Sequence, residues 1–207
     1  MNAYVESNFV LELALVQEQH ASCERILTLC EAGAIGVVVP AYSIVEPYET
    51  LLRRHLDRKR LKDALDRELQ QLSRTSNYAQ RLGGFEASTA LLLDSAAEEI
   101  QRLEDVRSRL VACATVIALE ASILSMAAQH QARHGLSAKD AIVYASVLSH
   151  LNAESGPQSC FMTRDADFGD PDIVDELKAH RCKLIPRFDA GFSFLSASLR
   201  AEPKPPP

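Results

Sequence analysis

Ile35-Gly36-Val37-Val38-Val39 constrains the fold of this chain more than any other stretch. It is apolar and mostly β-branched with no polar alternation, the composition of a strand buried on both faces. Such strands belong to parallel sheets with helices packed on either side. Pro40 stops the run. Ala3 to Val5, Phe161 to Thr163 and Lys183 to Ile185 read as three further short strands. Segments of helical periodicity separate them, and this alternation predicts an α/β fold, a three-layer α/β/α sandwich around a central parallel sheet.

The helices follow from spacing and caps. Phe9 to Val16 is a crowded apolar segment whose length suits a helix, and Ser22 to Cys30 is a second one closed by Ala32-Gly33. Ser43 stands three residues before Glu46, as in a capping box, and a helix follows. From about Leu51 to Leu72, leucines recur at helical spacing. Ser73 to Gly84 reads as a loop. Leu92, Ala96, Ile100 and Leu103 mark a long amphipathic helix, and Val111 to Ala128 a more apolar third one. Ser137 precedes Asp140 by three residues and opens the helix that runs to Leu151. Pro171 to Ala179 is a helix, and Asp189 to Leu199 is ambiguous. The expected organisation is one domain over residues 1–200, carrying an enlarged helical insertion at about 51–134. Residues 201–207 are expected to form a disordered Pro-rich tail.

At 207 residues and 47% hydrophobic, the chain can bury a full core. A formal net charge of −6 argues against coating nucleic acid by bulk electrostatics, but not against a nuclease whose acids are neutralised by bound cations. The five cysteines are odd in number and lack C-x-x-C spacing, which fits reduced thiols in a cytoplasmic protein. Zinc is not expected, because the histidines do not cluster with these cysteines. The N-terminus has no signal-peptide pattern, and the longest apolar run, Leu110 to Leu119, is too short to span a bilayer. A soluble cytoplasmic protein is expected.

Acids stand where strands end and helices begin: Glu6, Glu46, Asp140, Asp165 and Asp167. These are hard oxygen donors with no thiolate or imidazole beside them in sequence, a set that selects Mg²⁺ or Mn²⁺. Clustered carboxylates without a cation repel and take up protons. One or two such ions activate water and stabilise displacement at phosphorus, which is phosphodiester hydrolysis. Asp140 alone is equally well explained as the completion of its helix cap, and Asp167 as a turn residue.

Four motifs in order carry a resemblance to the PIN-domain family, the metal-dependent ribonuclease fold of VapC-type toxins and RNA-processing endonucleases. They are Glu6-Ser7-Asn8 after the first strand, Glu46 after the second, Asp140 opening its helix, and Thr163-Arg164-Asp165-Ala166-Asp167-Phe168 after a later strand. The resemblance covers residues 1 to about 60 and 135 to 190. It implies a metal-dependent endoribonuclease, in one form of the family the toxin of a toxin–antitoxin pair, with RNA as substrate and an antitoxin protein or a second copy as partner. By the same resemblance Glu6, Asp140 and Asp165 are metal ligands, with Asp167 a ligand through water or a brace, and Glu46 serves a second ion or the attacking water. Ser7, Asn8 and Thr163 support the acids or the phosphate; Asn8 also fits the N-cap of the first helix.

Two features depart from the pattern. Glu6 replaces the usual Asp and adds a methylene, and Glu46 and Asp140 are unusually far apart. Arg53, Arg54, Arg58, Lys59 and Arg164 are weak RNA-contact candidates, the first four being equally well read as a solvated face laced with Asp57, Asp63 and Asp66. Lys139 and Arg164 flank the acids and serve either phosphate or solvent. The alternative function is a catalytically weak scaffold that binds RNA or protein. Hydrolysis of DNA or of a small phosphoester is a third reading.

Overall fold

The computed structural model describes residues 1–79, 81–82, 85–154 and 158–201. The expected Gly83-Gly84 loop end and residues 202–207 of the expected 201–207 tail lie outside them, while Ala201 closes the last helix. Five parallel strands, β1 (Asn2–Val5), β2 (Gly36–Pro40), β3 (Thr115–Ile117), β4 (Ser159–Met162) and β5 (Cys182–Ile185), form one sheet in the order β3-β2-β1-β4-β5. Side chains alternate across it. Ala3, Val5, Val37, Val39, Cys160 and Met162 enter one apolar core, while Tyr4, Val38 and Phe161 enter the other. The α/β/α sandwich expected from the Ile35–Val39 run is therefore present.

One layer contains α1 (Ser7–Leu15), α2 (His20–Glu31), α5 (Phe85–Cys113) and α9 (Phe188–Ala201). The other contains α6 (Ala121–His134), α7 (Ala138–Ala153) and α8 (Pro171–Ala179). Between β2 and α5 runs α3 (Ala41–Ser73), followed by the short α4 (Ser76–Ala79) inside the expected Ser73–Gly84 loop. α3 continues unbroken through Pro47 and packs along α5, where both arms of Arg58 grip Glu99 at 2.9 Å. Leu61, Leu65 and Leu72 on α3 remain exposed.

Three local expectations need correction, and one ambiguity resolves. The helix read over Val111–Ala128 is two helices separated by β3. Thr115, Val116 and Ile117 are β-branched and pair with β2 at the sheet edge, so the helical excursion ends at Cys113 rather than 134. The Ser43–Glu46 capping box does not form: α3 already starts at Ala41, and buried Ser43 Oγ makes no hydrogen bond. The cap of α1 is Glu6, not Asn8, and Glu6 accepts the Asn8 N–H at 2.8 Å. The ambiguous Asp189–Leu199 segment is α9. Cys23, Cys30, Cys113, Cys160 and Cys182 are all free thiols. Among the described residues no helix is long and apolar enough to cross a membrane.

Candidate metal centre

β1 and β4 are neighbours in the sheet. From β1 the chain steps outward through β2 to β3, then returns to β4 on the other side of β1 and continues to β5. The strand order reverses between β1 and β4, and the crevice beyond the carboxyl ends of such strands is where open α/β sheets bind ligands. Glu6 leaves β1 at that edge, and Thr163 and Asp165 leave β4 beside it.

Asp140, Asp165 and Asp167 meet there, each offering an oxygen within 4.8 Å of the other two. Different devices place each. Ser137 caps α7, accepting the Asp140 N–H at 3.3 Å and donating its hydroxyl to the Asp140 carboxylate. Thr163 accepts the Asp165 N–H at 2.9 Å. Asp165 in turn accepts the Asp167 N–H at 2.9 Å, capping the 3-10 turn Ala166–Gly169. At an effective dielectric of about 20, two unit charges 4.8 Å apart repel by about 3 kcal/mol. Burial first, then Asp165, Asp167 and Glu46, push the Asp140 carboxyl above its ordinary range.

Glu6 stands beside this triangle, near enough to Asp165 to feel its charge. It is only 5% exposed, and its Oε1 is sealed from solvent without a hydrogen bond. Burial raises its pKa from 4.5 to about 7, opposed by the Asn8 N–H and by the nearby Thr163 and Asn8 side chains. A buried carboxylate oxygen with no partner is costly unless a proton or cation answers it. The donor set is oxygen only, so a hard divalent ion fits.

Glu46 reaches the same edge from α3 but is engaged on both oxygens. Ser7 Oγ donates at 2.5 Å and Lys139 Nζ at 2.6 Å. Lys139, which flanks Asp140, is thus part of the site. Tyr42, one turn before Glu46, also stands within the field of Glu46, Lys139 and Asp140, and burial raises its pKa.

The basic candidates scatter. Arg53 lies close enough to Lys139 to influence it, while Arg54 and Lys59 are exposed and form no ion pair with another described residue. Arg58 is committed to Glu99. Arg164 turns from the acids toward Glu12, a carboxylate of α1 only 1% exposed that also accepts the Gln19 N–H at 2.9 Å. The signal for Glu12 was a charge inside the Phe9–Val16 apolar segment.

A parallel α/β/α sandwich with four acids gathered at its switch point, and a fifth behind a lysine, defines a protein class with a cation-receptive carboxylate edge. The sequence model of the PIN domain matches residues 4–168, and the chain belongs to the PIN-domain family. That places it among nuclease-type hydrolases that bind nucleic acid and generally use divalent metals. No curated protein matches the chain.

Proposed function

We propose that the protein is a metal-dependent endoribonuclease hydrolysing RNA phosphodiester bonds. The observation that carries this reading is the convergence of Asp140, Asp165 and Asp167 beside the unpartnered buried oxygen of Glu6. Asp140 and Asp165 hold Mg²⁺ or Mn²⁺, with Asp167 as ligand or brace and Glu6 completing the set from the end of β1. The ion supplies a more acidic bound water and neutralises charge developing at phosphorus. Ser7 keeps the Glu46 carboxylate fixed through its 2.5 Å hydrogen bond, and Asn8 does the same for Glu6 through its backbone. In this reading Glu46 orients the attacking water, and phosphate draws Lys139 away from it. Arg53, Arg54 and Lys59 along exposed α3 track the backbone without reading sequence. The choice of RNA and the toxin role come from the family resemblance. The toxin role predicts growth arrest on induction, relieved by Asp140→Asn.

Two observations favour a second reading, a scaffold that binds RNA but cleaves it weakly. Both oxygens of Glu46 are already satisfied, and Glu6 carries an extra methylene where placement tolerates little error. Cleavage of end-labelled RNA, with a 2′-deoxy control, in Mn²⁺, Mg²⁺ or EDTA separates the two. The nuclease requires metal-dependent cleavage that falls at least about a hundredfold in Asp140→Asn, the scale expected for losing a centre that stabilises transition-state charge. Retained RNA binding without cleavage selects the scaffold. Cleavage surviving Asp140→Asn rejects the site.

A further inference from the structure

A second set of metal-ligating side chains lies outside the acidic edge, in the helical layer of α6, α7 and α8. His130 and His134 occupy positions four apart on α6, so both imidazoles project from one face. Their rings are nearly parallel, with centroids 5.7 Å apart. Glu176 reaches them from α8, and one donor atom from each of the three residues lies within 4.8 Å of the other two. His134 Nε2 is 3.9 Å from Glu176 Oε2, and the His134 side chain is 1% exposed. Neither His134 Nε2 nor His130 Nδ1 has a hydrogen-bond partner, although both are sealed from solvent. Buried polar nitrogens left unpaired in this way point to a missing partner.

We propose that His130, His134 and Glu176 form a second metal site, selective for a late divalent ion such as Zn²⁺. Two imidazoles and one carboxylate are the protein ligands of a tetrahedral zinc centre with its fourth position open. Tetrahedral Zn²⁺ with bonds of about 2.1 Å holds its donors about 3.4 Å apart. From separations of at most 4.8 Å, the donors here need to draw in by about 1.4 Å or less, within the reach of side-chain rotation.

The surroundings fit a ligand role. Tyr144 on α7 donates its hydroxyl to Glu176 Oε2 at 2.8 Å, and its ring meets both histidine rings edge-on. Hydrogen bonds of this kind orient ligating carboxylates. A cavity of about 380 Å³ lined by His134, Leu136, Asp167 and Asp170 adjoins the site and leads toward the acidic edge. Asp170 and Asp172 also come within 4.8 Å of His134. The site therefore has room for a water or a further carboxylate. Imidazole ligands separate it from the oxygen-only edge, so the two take different ions. An ion here ties α6 to α8 beside the turn that carries Asp167.

The test uses the full chain, stripped with EDTA and desalted, then supplied with Zn²⁺ or Co²⁺. Bound metal is measured by mass spectrometry and Co²⁺ by visible absorption, which is strong for four-coordinate imidazole sites and weak for six-coordinate oxygen sites. The expected result is one tightly held zinc and a strong Co²⁺ band, both kept in Asp140→Asn/Asp165→Asn. His130→Asn/His134→Asn loses both, and Glu176→Gln and Tyr144→Phe weaken zinc at least tenfold. A wild-type chain lacking the strong band overturns the proposal even if the histidine variant misfolds. Zinc content unchanged in a folded His130→Asn/His134→Asn, or lost only with the acidic pair, overturns it as well.

Discussion

Glu6 carries an uncomfortable charge, a carboxylate buried without a partner for one of its oxygens. Its folded pKa of about 7 exceeds the ordinary 4.5, so in the ion-free chain its proton is held more tightly folded than unfolded. The stability it contributes is fully present below pH 4.5 and is lost as pH rises toward and through 7, because the unfolded state releases its proton first. The full loss is about 3 kcal/mol, from a shift of 7 minus 4.5. Glu6→Gln keeps an acceptor for the Asn8 N–H and removes the charge. Its urea midpoint in EDTA should exceed that of the parent at pH 8 and match it at pH 4.5. A parent at least as stable at pH 8 would refute the strained carboxylate. Arg164 shows the reverse case, since its guanidinium answers the buried charge of Glu12. Removing one partner of a buried pair costs about 3–5 kcal/mol, and partial exposure of Arg164 reduces that to about 2–3. Arg164→Ala should therefore melt early, whereas an arginine serving only RNA would leave thermal unfolding unchanged.

At the element scale, α9 lies on the sheet because Gly191 has no side chain. A Cβ there would stand 2.1 Å from Met162 Sδ in β4. Alanine would gain about 1 kcal/mol of helix propensity, but overpacking a filled core costs about 1–3. Met162 is fully buried, so the clash prevails. Gly191→Ala should lower stability by up to about 2 kcal/mol, and an increase would mean that Met162 swings aside freely. Such contacts explain what sequence could not reveal. β2 was legible because both its faces are buried and no helix pattern competes with Val37-Val38-Val39. β3 was not, because Thr115 to Ile117 lies inside the apolar run Leu110–Leu119, where strand and helix periodicities coincide. It is an edge strand, and two of its three residues are exposed. The Asp140, Asp165 and Asp167 acids were legible from their positions at element ends. The Lys139–Glu46 and Arg164–Glu12 pairs and the His130–His134–Glu176 cluster were not, since each joins distant segments that only the folded chain juxtaposes. The His130/His134 spacing is visible in the sequence, but its third ligand, Glu176, lies more than forty residues on and no cysteine stands beside it.

For the molecule as a whole, the sheet brings together acids whose mutual repulsion opposes folding, and ion binding should reverse that opposition. Mg²⁺ is the suitable ion to test, because it is hard and has little affinity for imidazole. A ligand of the folded state at about a hundred times its dissociation constant stabilises by about 2.7 kcal/mol. In a chain of this length each kcal/mol moves the melting temperature by about 2–4 °C, so saturating Mg²⁺ should raise it by about 5–11 °C at pH 8. At pH 6 the raised pKa of Glu6 leaves that carboxyl mostly protonated, and the ion must displace the proton. Apparent affinity then falls about tenfold, which removes about 1.4 kcal/mol, or about 3–5 °C, from the stabilisation. Asp140 titrates in the same direction and adds to the effect. Glu6→Gln should lose most of the pH dependence while Asp140→Asn loses the stabilisation itself. Equal Mg²⁺ stabilisation at pH 6 and pH 8 in the parent protein would detach Glu6 from the metal centre and leave only the aspartates to hold the ion.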